Sequence, residues 1–568
     1  MKRPLIFLIS LLFAAIVHGA PNYIEYQPID RLVNTPVSNV KPGAKTLPLI
    51  TWGGDIATIY ANGSSTRTQA GSLFAQQGLD FRLQREDVFV EQVRQYLSGE
   101  TAYLRGTMGM ISAAADVVSR DERTKPVVFY QMTWSAGGDA LVVKDGIKSA
   151  GDLRGKTIAV QAYGPHVDYL LRVLRDAGLS LGDVTIKWLP DLTGTDDSPA
   201  SALYEADIDA AFVIIPDALA LTSGGNVGTG AEDSVRGARI LMSTRTANRV
   251  IADVYAVRSD YYQANKAEVE SLASALVLAE SQLSDLIGDR NARTREYKAV
   301  MEASAEILLD AKEAVADTEG LYADAEFVGL EGNLQFFHDN KHPRRFQAIV
   351  AEIAESLESN DLSSALVSSV DKSAIDYRRF SGAPKPGQAE TQRFNQEQVS
   401  ALVSRRQQQG TLDDGELYSF EVFFAPNQNT FSADLYQQEF DRVVELAATY
   451  GGAIITVEGH SDPMGYLRGK KGGEPSVVLS RIKQSAKNLS VSRAQEVRDQ
   501  IISYANQNSI SIDRSQFEPV GHGISQPATG ICGDDPCAPA NEQEWRSNMR
   551  VVFRLIQVEA EADVFKPL

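Results

Sequence analysis

The stretch from Ile454 to Phe553 leaves this chain the least freedom in how it can fold. Ile454-Ile455-Thr456-Val457 is a β-branched run and is expected to form a strand. GHSDPMG, Gly459 to Gly465, closes it and leaves Asp462 at its exit. NLSVSRAQEVRDQI, from Asn488, then opens a helix with Asn488, Ser490 and Arg493 near its start. Ala494, Val497 and Ile501 share one face of that helix and bury it, leaving Arg493 off the stripe. GHGISQP and NMRVVF follow, the second as a closing strand.

The remaining chain is too long for one ordinary domain. At 568 residues it predicts about three or four. A formal net charge of −19 argues against nucleic acid, whose phosphates need a basic face. Lys2 and Arg3 precede a short apolar run, Leu5 to Val17, and Val17-His18-Gly19-Ala20 supplies small residues. That order predicts a cleaved secretory signal peptide over 1–19, cut after Gly19 or Ala20. Cysteine is absent near the cut, so no lipid anchor is expected, and no later apolar run is long enough to span a membrane. Cys532 and Cys537 are the only cysteines and lie close together, so export to an oxidising compartment predicts a local disulfide.

Residues 46–375 are expected to form one α/β region after an N-terminal segment, 20–45. Leu47–Trp52, Val127–Tyr130, Ala140–Val143, Lys156–Gln161, Thr185–Leu189 and Ala210–Ile215 are strand-like. Helical patterns alternate with them, which predicts parallel sheets. From Asp260 to Ser368 long helices are expected, packed onto the body through Val269, Leu272, Leu276 and Leu283. SGAPKPGQAETQRFNQ, residues 381–396, has linker composition, and 376–415 is assigned as linker. A short helix is expected within it at Glu397–Gln407. The last domain spans 416–558 and starts on a strand, Tyr418–Phe424, before a tail at 559–568.

Two resemblances follow from these motifs. SAGDLRGKTIAVQAYGPHVDYLLRVLRDAGLSLGDV resembles the periplasmic solute-binding proteins for nitrate, sulfonate and taurine, supported by FAQQGLDFRL and ADIDAAFVIIPDA. The GHSD turn, the LS-x-x-RA helix and the NMRVVF strand resemble the OmpA-like peptidoglycan-binding domain. The fold implied is a type II two-lobed α/β binding-protein fold followed by an α+β OmpA-like domain. The first resemblance implies lobe crossings near Gly138–Val143 and Asp253–Val257, a second lobe over about 144–252, a small-molecule ligand between the lobes, a small anion among the options, and an inner-membrane permease of the ABC type as partner. Strand-end loops and helix N-termini are where such a fold binds. The cleft candidates are therefore Trp52, Gly53 and Asp55; Trp134, Ser135 and Gly137, with Asp139; Tyr163, Gly164 and His166; and Asp217. Aromatic rings give flat walls, although Trp52 and Trp134 are equally readable as core. Asp55, Asp139 and Asp217 sit oddly with a simple anion and leave a zwitterion or an amine open.

The second resemblance implies that Asp462 takes the ammonium and Arg493 the carboxylate of diaminopimelate in the peptide stem of peptidoglycan. Ser461, Asn488 and Arg550 are its further candidates. Arg493, read as lying in the first turn of its helix, would gain from free N–H groups there. The family brings its Arg about fifteen positions after the Asp. Here Tyr466–Lys487 intervenes, with Arg468, Lys470, Lys471, Arg481, Lys483 and Lys487 against Glu474. It is a solvated loop or it leans on anionic wall polymer. Asn488 directly precedes Leu489, and Met549 replaces the motif's middle Arg. His338 and His342 lack the rest of a zinc motif, so no metal or cofactor is expected, and no catalytic set is visible. The sequence thus points to a wall-anchored periplasmic solute-binding protein without chemistry. The alternative is a structural or signalling protein whose binding-protein fold docks another envelope protein.

Overall fold

Two five-stranded sheets, each mixed in direction, build the N-terminal region. The computed structural model describes residues 21–231, 234–363, 370–380, 394–412, 416–423, 436–508, 510 and 512–556. The signal peptide with its cleavage site, residues 381–393 and 413–415 of the assigned linker and the tail 559–568 lie outside the described residues, whereas Tyr377, also assigned to the linker, is buried in the core of the N-terminal region.

In the first lobe the order is Ala325–Phe327, Pro126–Ser135, Ala252–Arg258, Tyr103–Thr107, with Asp371–Lys372 also on the Pro126–Ser135 strand. Every residue of Pro126–Ser135 is buried, as a run covered on both faces must be. In the second lobe the order is Thr185–Leu189, Thr157–Gln161, Ala210–Ile214, Asp139–Val143, Arg239–Ser243. Only the pairs made by Thr157–Gln161 are parallel there. The expected parallel sheets are corrected to mixed ones for a physical reason. A strand that has just crossed between lobes enters its sheet from the cleft end and runs against its neighbours. The crossings also move. Asp139–Val143 and Ala252–Arg258 each belong wholly to one lobe, and the chain crosses at 136–138 and 244–251.

Long helices complete the first lobe. Val269, Leu272, Leu276 and Leu283 of Lys266–Gly288 are fully buried in its core, as their spacing predicts. Residues 21–41 form a strap across both lobes. Ile24 bridges Trp188 at the second lobe's sheet edge, Tyr26 stacks between Tyr163 and Trp188, and Ile29 and Val33 sink into the first lobe's core.

The C-terminal sheet has the order Glu416–Phe423, Arg550–Ile556, Ile454–His460, Phe517–Gly523. Its last two strands are parallel, and parallel neighbours need a long crossover. The helix Ser476–Gln507 supplies it. Ala494, Val497 and Ile501 of that helix are buried against the sheet. The helix found at Gln396–Gln409 covers the other face through Val399, Leu402 and Val403, so the second half of the stretch read as linker is packed. The cores of the second lobe and of the C-terminal sheet are continuous, with Leu170, Val173 and Leu174 in one cluster with Val443, Val444 and Leu446.

Candidate functional site

Strand direction decides which side chains meet between the lobes. The second lobe presents the start of Asp139–Val143 and the ends of its parallel strands, and the first lobe presents the ends of Tyr103–Thr107 and Pro126–Ser135. Asp139 Oδ1 lies 2.7 Å from His166 Nε2. Its Oδ2 accepts from Ser135 Oγ at 2.6 Å, and Ser135 Oγ lies 2.8 Å from Thr244 Oγ1. On the other wall Arg105 donates to Asp55 at 2.8 Å and to Asp253 at 2.8 Å. Thr133 Oγ1 donates to Asp253 Oδ2 at 3.1 Å and accepts from Trp52 Nε1 at 3.0 Å. Asp55, Arg105, Thr133, His166 and Thr244 are fully buried.

Of the residues chosen from sequence, Ser135, Asp139 and His166 therefore meet one another, while Asp55 and Trp52 belong to the network of Arg105, Asp253 and Thr133. Trp52 packs against Gly138, where a Cβ would come within 2.6 Å of its ring, so only glycine admits it. Gly53, Gly137 and Gly164 are buried beside these loops. Asp217 follows its strand with Oδ2 buried and unpartnered, and burial raises its pKa. Two aromatic candidates face elsewhere. Trp134 is core, edge-on to Phe336 and beneath the Arg249 guanidinium. Tyr163 stacks on Tyr26 at 4.9 Å and bonds the Gln27 backbone.

Sequence reasoning missed Arg105, Thr244, Asp253, Asp168 and Asp324. The signal available for Arg105 was a lone cation in the apolar strand Tyr103–Thr107, which needs buried acids. Asp168, on the first turn of the helix His166–Asp176, packs against Gly109 of the other lobe. Neither of its carboxylate oxygens has a partner, and burial pushes its pKa up to about 8. Asp324 lies beside Gly137, and burial raises it to about 6.

In the C-terminal sheet Asp462 leaves the strand Ile454–His460 as expected, and its carboxylate accepts from the Met464 N–H at 3.0 Å. Arg493 is corrected. The helix begins at Ser476, not near Asn488, so Arg493 lies well inside it and gains nothing from a helix N-terminus. Pro475 precedes the start, and no breaker occurs between Ser476 and Asn488, so the basic insert continues as helix. The rest of the insert forms the helix Met464–Lys471, and all six of its cations are exposed. Ser490 Oγ accepts from the Gly523 N–H at 2.9 Å, and Gly459 packs on its backbone. Arg493 follows one turn later, half-buried. Its Nε has no partner and burial lowers its pKa. Ser461 bonds the Ala486 carbonyl, Asn488 is exposed and accepts from Gln484, and Arg550 pairs with Glu421. Cys532 and Cys537 are disulfide-bonded.

Glu458, His460 and His522 form a buried group with ligand atoms within 4.8 Å of one another. Their geometry fits an internal network better than an ion. The two imidazoles stack at 4.9 Å with planes 13° apart, His522 bonds Glu458, and Arg554 takes the other Glu458 oxygen. Burial, with Arg550 adding to it, depresses His460 to about 2. His338 bonds the Ile375 carbonyl, and burial lowers His342 to about 4.

The family described as NMT1/THI5 like matches residues 69–279. The N-terminal region carries a type II periplasmic-binding-protein-like domain. Among solved structures the chain is similar to the alkanesulfonate-binding protein SsuA from Xanthomonas axonopodis pv. citri bound to MOPS, at 17% identity over 58% of this chain and 99% of that one, with a TM-score of 0.39. The periplasmic aliphatic sulphonate binding protein SsuA from Escherichia coli gives 15% identity, 62% and 96% coverage and a TM-score of 0.38. The desulfurization enzyme DSZB gives 18% identity, 57% and 94% coverage and 0.35. No curated protein matches the chain. The family match stops before the C-terminal sheet begins. Among the described residues no helix is long and apolar enough to cross a membrane.

Proposed function

We propose that this protein is a periplasmic solute-binding protein held on peptidoglycan by an OmpA-like C-terminal domain. The observation that carries the wall-binding half is Arg493. A half-buried guanidinium with an unpartnered Nε is costly unless an acceptor arrives, and a carboxylate of the peptide stem is such an acceptor. Asp462 leaves the strand whose Gly459 touches Ser490, one turn before Arg493, and it remains open to an ammonium. The strand–helix–strand order with one parallel pair also supports the OmpA-like reading. Asp462→Ala and Arg493→Ala should each cost about 2–5 kcal/mol of wall affinity, measured by retention on purified sacculi. Near-wild-type retention of both folded variants rejects the site.

The binding half is a fold that captures small molecules, and we read its role as binding without chemistry. Asp55, Asp139, Asp253 and Asp324 outnumber Arg105, Arg245 and His166 between the lobes, beside an Asp168 that burial holds protonated. That excess favours a ligand with an amine or other cationic group over the small anion, with an ABC-type permease downstream. Calorimetry of the full chain against amines, amino acids and sulfonates tests it. A second reading has its own support. The predicted contact residues already bond one another, which suits a body that docks another envelope protein. Heat from amines alone supports the first reading, and silence from all three classes favours the second.

A further inference from the structure

The second crossing between the lobes, 244–251, is gripped by the C-terminal domain. The Arg249 N–H donates to the Thr449 carbonyl and the Gly452 N–H to the Thr246 carbonyl, both at 3.2 Å. Gly452 fits so closely that a Cβ there would run into the Arg245 carbonyl. Around this corner lies a buried charge cluster that joins three bodies. Arg172 of the second lobe reaches Asp176 on its own helix at 2.6 Å, Glu352 of the first lobe at 2.9 Å and Glu445 of the C-terminal domain at 3.0 Å. Tyr450 donates to Asp176 at 2.6 Å, and Arg442 pairs with Asp176 at 2.9 Å. Arg344 of the first lobe holds Glu352 and also donates to the Arg249 carbonyl.

We propose that the C-terminal domain is a brace that fixes the angle between the lobes. Domain closure in a two-lobed protein is absorbed by backbone rotation in the crossing segments. Here two residues of the second crossing, Thr246 and Arg249, have a backbone group committed to the Thr449–Gly452 corner. The domain is also fixed to the second lobe by the shared core, so it cannot follow the first lobe as that lobe swings away. Opening must break the Arg172–Glu352 contact inside a buried cluster or detach the corner from 244–251. The brace therefore couples its own docking to the lobe angle, and whatever binds one affects the other by the same factor.

The test uses the full chain with spin labels at Gln76→Cys in the first lobe and Asp207→Cys in the second. Both positions are exposed, and the two native cysteines are joined and do not react with the label. Pulsed dipolar spectroscopy reads the distance distribution between the lobes. Wild type should give one narrow distance. Gly452→Val should force the corner off the crossing and add a second, longer component that wild type lacks. Tyr450→Phe keeps the shape and removes the bonds to Asp176 and Tyr418. It should raise the same component less, and it carries the test should the valine variant fail to fold. A wild-type chain that already samples two distances overturns the brace, as does an unchanged distribution in the folded variants.

Discussion

Arg105→Met should destabilise the protein strongly at neutral pH and much less in mild acid. Arg105 is fully buried and is the cation shared by Asp55 and Asp253, themselves almost wholly buried. Methionine matches much of its volume, so the change removes charge more than packing. Losing one partner of a buried ion pair costs about 3–5 kcal/mol, because the remaining charge has no compensation. The pH dependence follows from the carboxylates. Burial raises both, and the guanidinium opposes that rise. In the variant the opposition is gone and both folded pKa values rise further above the unfolded value of about 3.9. Between those values the folded state binds more protons than the unfolded one, so stability falls as pH rises. The deficit against wild type should be greatest at pH 7 and shrink toward pH 5. Urea unfolding at the two pH values measures it. A loss below about 1 kcal/mol, the scale of a surface pair, or an equal loss at both pH values, would refute the buried-pair account.

Other outcomes follow from neighbouring features. Asp168 is held protonated by burial up to about pH 8, and the unfolded chain ionises near 4, so wild type loses stability between those values. Asp168→Asn removes that slope, and its advantage in urea unfolding should grow from pH 5 to pH 8. Charge reversal of Arg468, Lys470 and Lys471 to Glu should weaken sacculus binding at low salt and have little effect at high salt, since exposed charges are screened beyond about 10 Å at 0.1 M. Equal binding at every salt concentration would make the basic segment a plain solvated surface.

Legibility differed by the range of the forces involved. The strand Thr157–Gln161 and the helix His166–Asp176 were readable because their periodicity is local and glycines bound them. The acid Asp139 was readable as important, but its role was not, because its partners His166 and Thr244 are distant in sequence and meet it only once the second lobe has folded. Arg172 was missed for the same reason, since Glu352 and Glu445 come from separate bodies. The helix start at Ser476 was missed because a run of charges reads as loop, although lysine, arginine and glutamine are good helix formers. Tyr163 was placed in the cleft because nothing local says that Tyr26, from the strap, would cover it.

That strap has a consequence for the order of assembly. Tyr26 and Gln27 precede both lobes in the chain, yet the strap seats against Tyr163, Trp188 and the carbonyl of Leu362. It cannot dock until both lobes exist, although chains emerge N-terminus first. Contacts this remote in sequence form late, because their loop entropy must be spent before they give anything back. The strap is thus the last piece of the body to find its place.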